Sequence, residues 1–220
     1  MKKKSTNKKL KFIGLTGGIC CGKTEVAEMF ITLDARVIDA DRISRELTKP
    51  YKPAWKEIVK SFGREFLLPD ENLDRKKIAG EVFKNKKKLQ LLNKIMHQRI
   101  LAQIEREVKK ERKEKPDSLI IVDAPLLIEL GYNRFAEKVI VVSADRKTQI
   151  ERMIKRDKIS KAEALLRLKS QMPVSEKIKF ADYVIKSSGL KKDTFKTVKK
   201  IFLNCHAIKD SQARCLTYSV

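Results

Sequence analysis

Eleven residues near the start of the chain, GLTGGICCGKT from Gly14 to Thr24, have the types and spacing needed to hold a phosphate. Gly17, Gly22, Lys23 and Thr24 satisfy G-x-x-x-x-G-K-[ST], with Gly18, Ile19, Cys20 and Cys21 between them. Glycines let backbone N–H groups converge on phosphate oxygens. The lysine neutralises the β- and γ-phosphates, and the threonine hydroxyl is a ligand for Mg²⁺. A helix starting at this point adds its dipole and free N–H donors, including that of Glu25 towards an α-phosphate, so the Glu25 carboxylate must point away. The ligand so defined is a nucleoside triphosphate.

The surrounding elements must present this loop at the edge of a sheet. LKFIGLT (10–16) is a short apolar run ending in glycines, and KTEVAEMFITL after it spaces Val26, Met29, Phe30 and Leu33 at helical intervals. ARVIDAD (35–41) is a brief strand that ends in Asp39 and Asp41, which puts two acids where open α/β sheets bind ligands. From about residue 53 to 115 the patterns are helical. They include the stripe Leu92, Met96, Ile100, Ile104 and Val108, and they predict a helical insertion. Strands return in SLIIVDAP (118–125), KVIVVSA (138–144) and ADYVIKS (181–187), separated by helical QIERMIKRD and KAEALLRLKSQ and followed by TFKTVKKIF. Strands alternating with helices give a mainly parallel sheet. The residues from about Lys209 onward read as a loose tail.

Composition narrows the function classes. The chain has 220 residues, 42% hydrophobic and 36% charged, which is enough for one substantial α/β domain and is not the composition of a disordered chain. MKKKSTNKK is followed by too short an apolar run for a secretory signal, and about 18 consecutive apolar residues occur nowhere, so a cytoplasmic protein without a membrane span is expected. Cys20, Cys21, Cys205 and Cys215 have neither metal-ligand spacing nor a disulfide framework. The net charge of +23 lies largely in lysine runs such as KNKKK (84–88) and KKERKEK (109–115). These read as solvated helix faces, and without interleaved aromatics they do not make nucleic acid the expected partner. A guanine-nucleotide switch is disfavoured, because DAPLLIE (123–129) follows the strand where D-x-x-G belongs and NKIM (93–96) lacks the aspartate of N-K-x-D.

In order, GLTGGICCGKT, VIDAD (37–41), LDRKKIAGEVF (73–83), the histidine of IMHQRI (95–100), VDAPLLIE (122–129), RLKSQMP (167–173) and ADYVIKSSG (181–189) resemble the dephospho-CoA kinases. That family phosphorylates the ribose 3′-hydroxyl of dephospho-CoA with ATP. The resemblance implies a three-layer α/β P-loop NTPase fold with a five-stranded, mainly parallel sheet, a helical acceptor-binding insertion and a helical lid. It implies one kinase domain over 10–205, with its core at 10–50 and 117–205, the insertion at about 51–116 and the lid at about 154–180, flanked by a basic arm (1–9) and a tail (206–220).

For the site, the resemblance implies that Gly17 to Glu25 hold ATP with Mg²⁺ on Thr24. Lys23 and Arg167 act in catalysis, Arg156 closes over the phosphates, and Asp41 is the base. Asp39, Asp123 and His97 lie on the dephospho-CoA side. Gln98 replaces the family's usual proline, Cys20 and Cys21 replace glycine and serine, and Ser187 replaces an asparagine near the adenine pocket. At Cys20 a backbone geometry easier for glycine is expected. The two thiols are open to two readings: acidified, oxidation-prone groups beside the cationic loop, or small side chains that are simply tolerated. Alternative readings of the whole are a kinase for another small alcohol or nucleotide, and a basic nucleotide-dependent nucleic-acid-binding protein.

Overall fold

The computed structural model describes Leu10 and residues 12–217. Five strands, β1 (Ile13–Gly17), β2 (Arg36–Asp39), β3 (Ile120–Asp123), β4 (Lys138–Ser143) and β5 (Tyr183–Lys186), form one sheet in the order β2-β3-β1-β4-β5. The pairs β1–β3, β1–β4 and β4–β5 are parallel, with Ile13 opposite both Ile121 and Lys138. Every residue of β1 and β3 is buried, as both faces of a parallel sheet must be when helices cover them. The expected α/β architecture and the position of each strand are met.

The described residues divide into two compact units, those up to 38 together with those from 108 onward, and residues 39–107. In the first, Ile13 and Leu15 of β1 join Ile121, Ile140, Val142 and Ile185 in a core closed by helices α1 (Lys23–Thr32) and α9 (Lys191–Thr217) through Val26, Phe30, Val198 and Ile201. The stretch expected to be a loose tail is instead helical to Thr217, since no glycine or proline interrupts α9 after Lys191. Helices α6 (Arg146–Asp157), α7 (Lys161–Lys169) and α8 (Val174–Ile178) lie between β4 and β5. The sequence patterns do not reveal α8, which at five residues is too short to show a period.

The second unit contains α2 (Ala40–Leu47), α3 (Pro53–Phe62), α4 (Arg75–Lys84) and most of α5 (Lys86–Glu114). Pro53 opens α3 at the position where a missing N–H costs nothing, and Gly63, at φ 104°, ends it. Trp55, Ile58, Phe62, Phe66, Ile78, Ile95, Met96 and Ile100 are buried, and the Trp55 indole N–H donates to the Glu71 carbonyl at 2.7 Å. The helical insertion is therefore a small core of its own.

Beside the site, β1 and β4 approach closely at Gly17. A Cβ on Gly17 would lie 2.7 Å from the Val142 carbonyl oxygen and 3.2 Å from its Cβ, and the oxygen belongs to a strand that cannot swing aside. Gly17→Ala is expected to cost about 1–3 kcal/mol in urea unfolding of the full chain. Wild-type stability would show that β4 yields.

Candidate active site

The loop between β1 and α1 uses residues that bend easily. Gly22 is the N-cap of α1 in the left-handed region, at φ 73°, with no side-chain cap, so the first-turn N–H groups of the helix are left for an anion. Cys20 is also left-handed, at φ 56°, the geometry easier for glycine that was expected there. Each carbonyl from Gly17 to Gly22 meets a donor. The Lys177 Nζ lies 3.3 Å from Gly17 O, the Cys21 N–H reaches Gly18 O at 3.2 Å, and the Gln149 amide donates to Ile19 O at 2.8 Å. Arg152 lies 3.4 Å from Cys20 O, the Ser187 hydroxyl donates to Cys21 O at 2.6 Å, and the Val26 N–H closes on Gly22 O at 3.1 Å.

At the head of α1, the Lys23 ammonium donates to a carboxylate oxygen of Asp123, at the end of β3. Both side chains are largely shielded from water, so this charge pair is only weakly screened. Thr24 sits on the exposed first turn of the same helix. The Glu25 carboxylate pairs with Lys191 of α9, pointing away as the loop chemistry requires.

Neither thiol is acidified. Burial pushes the Cys20 thiol up despite the opposing charges of Arg156, Arg152 and Arg167, and it does the same to Cys21, whose sulfur lies 3.0 Å from the Gln149 amide nitrogen. Desolvation outweighs the nearby cations, so the reading of oxidation-prone thiols is not supported and tolerated small side chains fit.

Arg156 and Arg167 converge on one acid. Arg156 donates to both carboxylate oxygens of Asp157, at 2.7 and 3.1 Å, and Arg167 donates to the second at 2.7 Å. The Arg156 hydrogen bond is the main reason that Asp157 is held below the usual carboxylate range. Lys158, at φ 55°, ends α6, and Ser160 starts α7 with a reciprocal Ser160–Glu163 cap, so the turn that brings Arg167 back to Asp157 is defined at both ends.

In the second unit, Asp39 is the N-cap of α2, its Oδ1 accepting from the N–H groups of Asp41 at 2.8 Å and Arg42 at 3.1 Å. Capping therefore falls to Asp39, and Asp41 stands exposed in the first turn. The Arg75 guanidinium is destabilised first by desolvation and then by Arg45, while the Asp41 charge favours it. His97 is half-buried on α5, beside buried Met96.

Lys23, Asp123, Arg156 and Arg167 thus belong to the first unit, and Asp39, Asp41 and His97 to the second. Sequence reasoning missed Gln149, Arg152, Asp157 and Arg75. The first two had a legible signal, because Gln149, Arg152 and Arg156 at i, i+3 and i+7 share one face of α6.

A phosphate loop leaving the middle strand of a five-stranded sheet, with a lysine at the helix start and arginines on a helical pair, defines a P-loop kinase. A model of the family described as dephospho-CoA kinase matches residues 11–193. The chain is 44% identical over 193 residues to a dephospho-CoA kinase of Aquifex aeolicus, spanning 88% of this chain and 96% of that one. It is 41% identical to that of Bacillus cereus, spanning 89% and 98%. A solved dephospho-CoA kinase from Campylobacter jejuni superposes with a TM-score of 0.66 at 29% identity, over 90% of this chain and 99% of that one. The chain belongs to the dephospho-CoA kinase family.

Because Asp157 joins both arginines, Asp157→Ala is expected to lower kcat about tenfold or more while the KM for ATP stays within a few-fold, as a catalytic cation misplaced by about 1 Å would. Steady-state kinetics with varied ATP measures this split.

Proposed function

We propose that this chain transfers the γ-phosphoryl group of ATP to the ribose 3′-hydroxyl of dephospho-CoA, giving coenzyme A in the last step of its synthesis. The observation that carries the reading is the loop from Gly17 to Lys23, with its carbonyls engaged behind it and Lys23 set against Asp123, in a chain of this family. In this reading residues 10–205 act as one kinase domain, the segment at about 154–180 is its lid, and the reaction takes place in the cytoplasm.

The loop N–H groups and Lys23 bind the β- and γ-phosphates, and Lys23 stabilises charge gathering on the bridging oxygen as the bond to the γ-phosphorus breaks. Mg²⁺ accompanies ATP and neutralises phosphate charge. The Thr24 hydroxyl on the exposed first turn, with Asp123 at the end of β3 to orient a bound water, fits a hard cation that takes only one or two protein ligands. Arg156 and Arg167, held by Asp157, close over the transferring group and exclude water. Asp39 and His97 serve the acceptor side. Asp41, relieved of capping by Asp39, orients the 3′-hydroxyl and takes its proton late in the transfer.

Incubating the protein with Mg·ATP and a panel of acceptors, with mass spectrometry of the products, tests the reading: dephospho-CoA is expected to gain one phosphate, and phosphorylation of a different acceptor alone would replace it. Asp41→Asn is expected to lower kcat by at least about a hundredfold with ATP affinity within a few-fold. A fully active variant removes Asp41 as the base.

A further inference from the structure

The only lysine among the described residues with no exposed side-chain surface is Lys177, in α8. Burying an ammonium is costly unless each of its protons is met. Here three acceptors surround it: the Pro125 carbonyl at 2.7 Å, the Gly17 carbonyl at 3.3 Å and a Glu129 carboxylate oxygen at 2.8 Å. The Glu129 contact is one of charge, since neither carboxylate oxygen has a directed hydrogen bond among the described residues. The Pro125 carbonyl also accepts from the buried Thr16 hydroxyl at 3.0 Å.

These partners lie at three places that the reaction needs together. Gly17 is where β1 becomes the phosphate loop. Pro125 is two residues beyond Asp123, the partner of Lys23. Lys177 lies near the end of the segment read as the lid, and three residues before it Val174 packs on the loop, where a Cβ on Gly18 would lie 2.3 Å from Val174 Cγ2. A short helix at the end of the lid thus grips the loop through one methyl group and one ammonium. The same ammonium binds the turn that carries Asp123.

We propose that Lys177 is a positioning residue for the phosphoryl transfer described above: its buried ammonium, balanced by Glu129, ties the phosphate loop to the 123–129 turn and so fixes Asp123 against Lys23. The proposal rests on the kinase reading for its activity readout and on the geometry alone for its structural one. The side chain touches none of the reacting groups. It acts through Gly17 and Pro125.

Removing Lys177 alone would leave Glu129 a buried, uncompensated charge, so the test replaces both partners. Lys177→Met with Glu129→Leu substitutes apolar groups of similar size, and Lys177→Gln with Glu129→Gln keeps polar shape without charge. Each folded variant is expected to lower kcat about tenfold or more with the KM for ATP within threefold. Amide hydrogen exchange is expected to quicken at residues 17–22 and 124–128 while the strand amides of β4 and β5 keep their protection. Lys177→Arg, which keeps charge and donors, is expected to recover most of the lost turnover. The proposal is overturned by wild-type kcat in either folded double variant, by exchange that quickens throughout, or by an Arg variant no better than the double ones. Failure of both double variants to fold would make the pair a folding element only and also overturns it. If the wild type phosphorylates no dephospho-CoA, the kinase reading fails and the exchange measurement still decides whether the clamp exists.

Discussion

A backbone loop can bind an anion only if its carbonyl oxygens are turned away and kept there. Six consecutive carbonyls between Gly17 and Gly22 face donors supplied by the loop itself, by α1, by α6, by α8 and by Ser187 after β5. Each peptide plane held by its oxygen has its N–H set on the opposite side. The elements that line the loop therefore serve electrostatics as much as packing. A left-handed Cys20 and a left-handed Gly22 are the bends that let so short a loop satisfy all of them. The energetic cost of Cys20 at positive φ, about 1 kcal/mol or somewhat more, is offset by the surrounding hydrogen bonds that hold it.

The same logic orders the charged side chains. Lys23 at the head of α1 pairs with Asp123 at the end of β3, Arg156 and Arg167 share Asp157, and Lys177 is balanced by Glu129. Each cation is given an acid that fixes its direction without cancelling it across the whole site. Between α6 and α7, the shared acid makes two helices present their arginines as one group. At the phosphate loop, desolvation by burial outweighs the nearby cations and pushes the neighbouring thiols up.

Much of this was legible in the residues. The strands were readable because a parallel sheet buried on both faces requires continuous apolar runs, and IGLTG, IIVD and KVIVVS are such runs. The phosphate loop was readable because its chemistry fixes residue types at Gly17, Gly22, Lys23 and Thr24 in a set spacing. What escaped was whatever depends on neighbours distant in the chain. The donors behind the loop, Gln149, Arg152 and Lys177, lie over a hundred residues away from their acceptors. The sign of the thiol shift depended on burial, which no spacing reveals. The spacing of Asp39 and Asp41 did not say which acid caps the following helix, and only the start of α2 assigned the cap to Asp39.

The proposed recognition of the phosphates beyond the first by the loop and Lys23 is tested directly by nucleotide affinity. Calorimetric titration of the wild type with ATP, ADP and AMP is expected to give ATP and ADP at least about tenfold tighter than AMP, the worth of a charge-assisted contact of about 1.5–3 kcal/mol. In Lys23→Met the gap should close to within about threefold, once that contact is gone. Equal affinities for all three nucleotides in the wild type would contradict the claim.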